Sequence, residues 1–152
     1  MTKTTPQEAF EWWDAWILLA IIYATRSDHS ASLAAIIGVG DYINHAILTR
    51  GELETGLRRL IGAGLIARAD DGFLPGEPAQ RFWARLEAQG GAVMNQLQST
   101  ASFLGARNGE PGGLPNPSTQ DYVTKEQFEA AADQYHRSAR ASQIGIRKQH
   151  DA

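Results

Sequence analysis

Apolar and polar positions divide the chain into segments of different period. Ala15 to Ala24 (AWILLAIIYA) is apolar on every side, with Asp14 before it and Arg26, Ser27 and Asp28 after it. That run is about half the length a membrane span requires, so it predicts a buried core helix. Thr5-Pro6-Gln7-Glu8 suits the start of this helix or a turn before it, with Pro at the first helical position. Ser32 can cap a second helix whose Leu33, Ile36, Ile37 and Ile43 face inward. Gly38 and Gly40 weaken it, since each glycine costs about 1 kcal/mol relative to Ala inside a helix, and predict that it is short or broken. Ile47 and Leu48 anchor the connection that follows.

The third segment has the clearest signals. Thr49 and Glu52 match a capping box, in which each side chain reaches the other residue's backbone N–H. Glu52 and Glu54 also set negative charge at the positive end of the helix dipole. Leu53, Leu57, Leu60 and Ile61 recur at helical spacing and form one apolar stripe. Gly56 beside that stripe predicts close approach of a neighbouring helix, and Gly64 predicts a left-handed C-terminal stop. Gly51, Glu54, Thr55 and Arg58 face away from the stripe, with Arg50 at the start and Arg59 on the flank. Leu65 to Arg68 then reads as a short strand, Asp70-Asp71-Gly72 as a tight turn and Phe73-Leu74 as a return strand. Pro75 and Pro78 end it, because Pro lacks the ladder donor. Two short strands need helices to cover one face.

Roughly residues 14 to 86 resemble the winged helix-turn-helix superfamily, in the layout of bacterial regulators of the MarR and PadR kind. The resemblance is carried by WILLAIIYATR, by LTRGELETGLRRLIGAGLI and by DGFLPGEPAQRFWARL. Leu60, Gly64, Leu65 and Ile66 match the family's Leu-x-x-x-Gly-Leu-Ile ending; Leu74 fits the position after the wing, where Pro75 and Pro78 replace a usual Thr and Gly. The resemblance implies a mainly α fold with a small β-hairpin wing, flanked by N- and C-terminal helices. It also implies a recognition helix over 49–63, a wing over 65–76, and DNA contacts at Arg50, Glu54, Thr55, Arg58, Arg59 and Arg68. Many such regulators are homodimers built from their terminal helices.

Charge pulls the other way. The chain has 14 Lys plus Arg against 17 Asp plus Glu, a net charge of −3. Phosphate neutralisation supplies most non-specific DNA affinity, and Asp70 and Asp71 in the wing would repel phosphates. Arg50, Arg58, Arg59 and Arg68 can form a local basic patch that outweighs the net charge. They can equally be a solvated helix face, with Glu54 four residues before Arg58. Winged helices also serve as protein-docking and dimerisation modules, and fold alone does not choose between these uses.

The remainder of the chain extends this core. A length of 152 residues supports one domain with extensions. Ala79 to Leu86 starts a helix with Phe82, Trp83 and Leu86 inward; Gly90-Gly91 breaks or bends it, and Val93, Met94, Leu97, Phe103 and Leu104 resume a helical pattern. Residues 1–104 form the expected winged-helix domain. Residues 105–120, rich in Gly, Pro, Asn and Ser, form a linker, and 121–152 hold a C-terminal helix and basic tail. Thr124 to Gln127 is a second capping-box match, ahead of a thin stripe of Phe128, Ala131, Ala132, Tyr135 and Ala139. Arg137, Arg140, Arg147 and Lys148 make the end basic, either as a frayed tail or as an auxiliary phosphate contact. Near the start, Phe10, Trp12, Trp13 and Trp16 are more aromatic surface than one helix can bury. Phe10, Trp12 and Trp13 are thus expected to meet a partner chain or the Phe128–Tyr135 helix, with simple core filling as the alternative.

Catalytic signatures are lacking in the sequence. There is no cysteine, hence no disulfide, thiolate chemistry or Cys-ligated zinc. His29, Asp41, His45, His136 and His150 are scattered, and Asp41 with His45 gives two ligands at most. Gly38-Val39-Gly40 lacks the third glycine and preceding strand of a dinucleotide loop, and neither a Walker motif nor a Gly-x-Ser-x-Gly elbow occurs. No enzyme, cofactor or metal is expected. No N-terminal basic region precedes an apolar stretch, so a cytoplasmic protein away from the membrane is expected. Double-stranded DNA and a second copy are the expected partners; no residue identifies an effector.

Overall fold

The computed structural model describes residues 9–26, 30–69, 72–105 and 123–150, with side chains to Ala139 in the last of these. The order is α1 (Trp12–Ala24), α2 (Leu33–Asn44), α3 (Arg50–Gly62), β1 (Ile66–Ala69), β2 (Gly72–Pro75), α4 (Glu77–Gln89), α5 (Val93–Leu104) and α6 (Lys125–His150). The fold is therefore mainly helical with one two-stranded antiparallel hairpin. Thr5-Pro6, the Asp28–His29 region, the Asp70-Asp71 turn, the linker beyond Gly105 and the side chains of Arg140, Arg147 and Lys148 lie outside the described residues.

Helix α1 is the centre of the molecule. Asp14 to Ile22 are all buried, because α2, α3, α5 and β2 surround it. A helix that is apolar all round is stable only when enclosed in this way. Its start lies ahead of the apolar run. Glu11 is the N-cap, and a capping box links it to Asp14. At the far end, Tyr23 donates to Gln96 Oε1 of α5. The Arg26 guanidinium lies 5.4 Å from the Trp83 ring centroid, tying that end to α4 as well.

Helix α2 is capped as expected, Ser32 Oγ accepting from Ala35 N at 3.1 Å. It is neither short nor broken: it runs unbroken to Asn44. The glycines that weaken it locally are places of close packing. A Cβ on Gly40 would lie 3.2 Å from both Trp16 Nε1 and Leu48 Cδ1, and one on Gly38 would lie 2.9 Å from Tyr135 Cδ1. Tertiary packing thus outweighs the propensity loss.

Helix α3 has both halves of its Thr49–Glu52 capping box. Leu53, Leu57 and Leu60 are fully buried. A Cβ on Gly56 would meet Ile17 and Asp14 of α1, so the two helices cross closely there. Gly64 takes φ 72°, and the N–H groups of Gly64 and Leu65 bond Ile61 O and Leu60 O, both at 3.0 Å. This double closure is the Schellman arrangement.

In the hairpin, Arg68 pairs with Phe73 and Ala69 with Gly72. A third segment joins it: Ala31, between α1 and α2, forms a bridge with Phe73, with N–H···O distances of 2.8 and 2.9 Å. A side chain at Gly72 would strike the Ala31 carbonyl. Beyond the hairpin, Pro78 sits in the first turn of α4, where its missing N–H is harmless. Gly90 and Gly91, both at positive φ, separate α4 from α5.

Candidate functional site

The outward face of α3 holds most of the residues proposed to make contacts, and the structure brings them to different places. Arg59 turns inward. Its Nε donates to Asp14 Oδ2 at 2.6 Å and its Nη2 to Asp14 Oδ1 at 2.9 Å. The Arg59 side chain is only 7% exposed and that of Asp14 is fully buried. Its guanidinium also lies 5.6 Å from the Trp13 ring centroid. A guanidinium held by both carboxylate oxygens in a dry site serves the fold first.

Arg50 and Glu54, one turn apart, meet at a single residue of the C-terminal segment. Arg50 Nε donates to the Val123 carbonyl at 2.8 Å, and the Val123 N–H donates to Glu54 Oε2 at 2.6 Å. Val123 itself is fully buried. Its neighbours Thr124 and Gln127 form the expected capping box of α6. Thr55 turns its hydroxyl back onto the Gly51 carbonyl at 2.9 Å. Arg58 is half-buried, and Arg68 projects from β1 into solvent.

From Val123, α6 runs over α2. Ala131 is buried, and Phe128, Ala132 and Tyr135 pack on the core. The Tyr135 ring covers Gly38 and its hydroxyl donates to Asp41 Oδ2. So Asp41 serves α6 docking, while His45 caps α2 in the left-handed conformation at φ 54°. Phe10, Trp12 and Trp13 are half-buried against the same core. Trp12 stands 5.9 Å from Trp16, ring centroid to centroid.

The bond to Asp41, and secondarily burial, raise the Tyr135 pKa above the ordinary value of 10.0. The contact needs the phenol proton. Its contribution is therefore complete below about pH 10, the unfolded value, and is lost as pH rises through the higher folded value. Hydrogen exchange of α6 should consequently accelerate in strongly alkaline solution, once amide exchange is corrected for its intrinsic pH dependence. Tyr135→Phe should remove that extra step.

A separate open groove of about 490 Å³ lies between α4 and α5, lined by Pro78, Arg81, Ala84, Arg85 and Phe103. It holds two cations and no acid–base pair. Among the described residues no group of three or more His, Cys, Asp or Glu is placed to hold a metal ion. No helix among them is long and apolar enough to cross a membrane. Comparison with protein-family models, with curated proteins and with solved structures gives no match.

The contact residues missed in the sequence are Asp14, Asp41 and Val123. Asp14 carried a signal, a lone charge at the edge of an apolar run, because such a charge is buried only with a partner. Val123 carried none beyond its place just before a capping box.

Proposed function

We propose that the chain is a winged-helix module whose α2–α3 face makes contacts with protein rather than with duplex DNA. The winged-helix assignment is supported by the order α1, Ala31 bridge, α2, α3, β1, β2, with Ala31 bridged to Phe73 where a third wing strand would lie. One observation favours protein as the target. The polar pair Arg50 and Glu54, on the face a recognition helix would present, binds a polypeptide backbone, donating to the C=O and accepting from the N–H of Val123. Arg59, a third cation of the expected patch, is consumed by Asp14. A net charge of −3 leaves little general attraction for a polyanion.

The regulator use of the same fold has its own supporting observation: Arg68 is exposed on the hairpin, and Arg58 is half-exposed on α3. Fluorescence anisotropy with a labelled random duplex at low salt separates the two. The expected result is no binding at micromolar protein. Binding that weakens steeply with salt and with Arg58→Ala would establish the DNA-binding regulator instead.

A further inference from the structure

Helix α6 touches the rest of the described fold through a narrow seam. Val123 and Ala131 are buried, and Phe128, Ala132 and Tyr135 are half-buried. Residues 125–127, 129, 130, 133, 134 and 136–138 are exposed. Helix α1, by contrast, is buried from Asp14 to Ile22. An element held by a small, Ala-rich seam opens at lower free energy than the core it covers. Beneath α6 lies a surface with three recognition features. Arg50 and Glu54 clamp the backbone C=O and N–H of one residue; that residue's side chain is wholly enclosed; and Gly38 with Asp41 receives a tyrosine ring and its hydroxyl.

Resting on the protein-contact function above, we propose that the α2–α3 face is a docking site for a peptide of defined chemistry, and that the chain's own 123–135 segment is its built-in competitor. The matching ligand is a β-branched residue, then a Thr- or Ser-capped helix with a small apolar stripe, then a tyrosine about three helical turns on. The clamp reads main-chain groups, which every peptide offers. Specificity comes from the enclosed side chain and from the tyrosine. Because α6 is tethered to the same chain, a partner segment must exceed a high local concentration of the competitor. Its apparent affinity is reduced by the fraction of molecules in which α6 is docked.

The probe is a fluorescein-labelled peptide of residues 121–139, titrated into the full-length chain. Wild type should bind it weakly. Tyr135→Ala, which loosens the resident helix only, should bind it at least tenfold more tightly, and adding Arg50→Ala should abolish the gain. In wild type, hydrogen exchange should be faster over 125–139 than over α1 and α3. Asp41→Ala serves as a second variant: it removes the Tyr135 bond at the receptor, so it should speed exchange of α6 without an equal gain in peptide affinity. Equal exchange in α6 and α1, or no gain in affinity for Tyr135→Ala, overturns the proposal and leaves the protein-contact function to be judged by the duplex titration. Duplex that binds Tyr135→Ala where the peptide does not overturns both.

Discussion

Arg59→Ala should lose about 3–5 kcal/mol of stability, the range for removing one partner of a buried ion pair. The size follows from what remains. Asp14 is fully buried and accepts from Arg59 twice. It also accepts from the Glu11 N–H at 2.8 Å, and that bond alone cannot compensate a carboxylate in a dry site. Glu11, itself buried, adds a second acidic side chain at the same helix end. Urea denaturation followed by far-ultraviolet circular dichroism measures the loss. Arg59→Lys should recover only part of it, since a single ammonium cannot reproduce the planar fork. The double change Asp14→Leu with Arg59→Met should recover most of the loss, because an apolar pair of similar volume can replace a buried ion pair at little cost. It should fall short of wild type by about 1 kcal/mol, the cost of the helix cap that Asp14 gives the Glu11 N–H. A loss below about 1 kcal/mol for Arg59→Ala would mean that the pair behaves as a surface salt bridge.

The same contact bears on function, because the winged-helix resemblance places Arg59 at a DNA surface. The sequence stripe places Leu53, Leu57 and Leu60 inside, as found, and leaves Arg59 on the flank of the stripe. Which way a flanking residue turns depends on a partner 45 residues earlier, in α1. Local spacing carries no record of that partner. Arg50 and Glu54 are a similar case: they lie on the outward face, and the segment that occupies them follows 73 and 69 residues later.

Signals confined to one turn of chain were legible for the same reason. The caps at Ser32, Thr49 and Thr124 and the stop at Gly64 involve residues three to five apart, and all are present. The hairpin was legible as two short apolar runs flanking a turn signal, although Gly72, expected in the turn, is the first residue of β2 and pairs with Ala69. The Ala31 bridge was not, because one residue has no period. Glycine propensity alone predicts a short or broken α2, whereas the helix is continuous from Leu33 to Asn44. Gly38 and Gly40 are there for Tyr135 and Trp16, and both partners lie in other helices. A glycine inside a capped, amphipathic helix is thus better read as a mark of close packing than as a break.

Trp16→Ala should be the other large loss, about 3–5 kcal/mol for a buried aromatic truncated to Ala. Against a total stability of about 5–15 kcal/mol for a domain of ordinary size, this threatens folding at 37 °C. Trp16 is 3% exposed and joins α1 to α2 in two ways. Its ring fills the space beside Gly40, and its Nε1 donates to the Gly40 carbonyl at 2.8 Å. Trp16→Phe separates these roles, keeping most of the ring and deleting the donor. Its loss should be nearer about 1–2 kcal/mol, the size of one net hydrogen bond plus some volume. The packing role has its own test. A Cβ at Gly40 would lie 3.2 Å from Trp16 Nε1, an atom that Trp16→Phe removes. Gly40→Ala should therefore be damaging in wild type and milder beside Trp16→Phe, with a coupling of at least about 0.5 kcal/mol in a double-mutant cycle. Leu48 Cδ1, also 3.2 Å from that Cβ, limits the rescue. Strict additivity would show that the indole does not set the spacing of α1 and α2. The close approach at Gly40 would then depend on Leu48 alone.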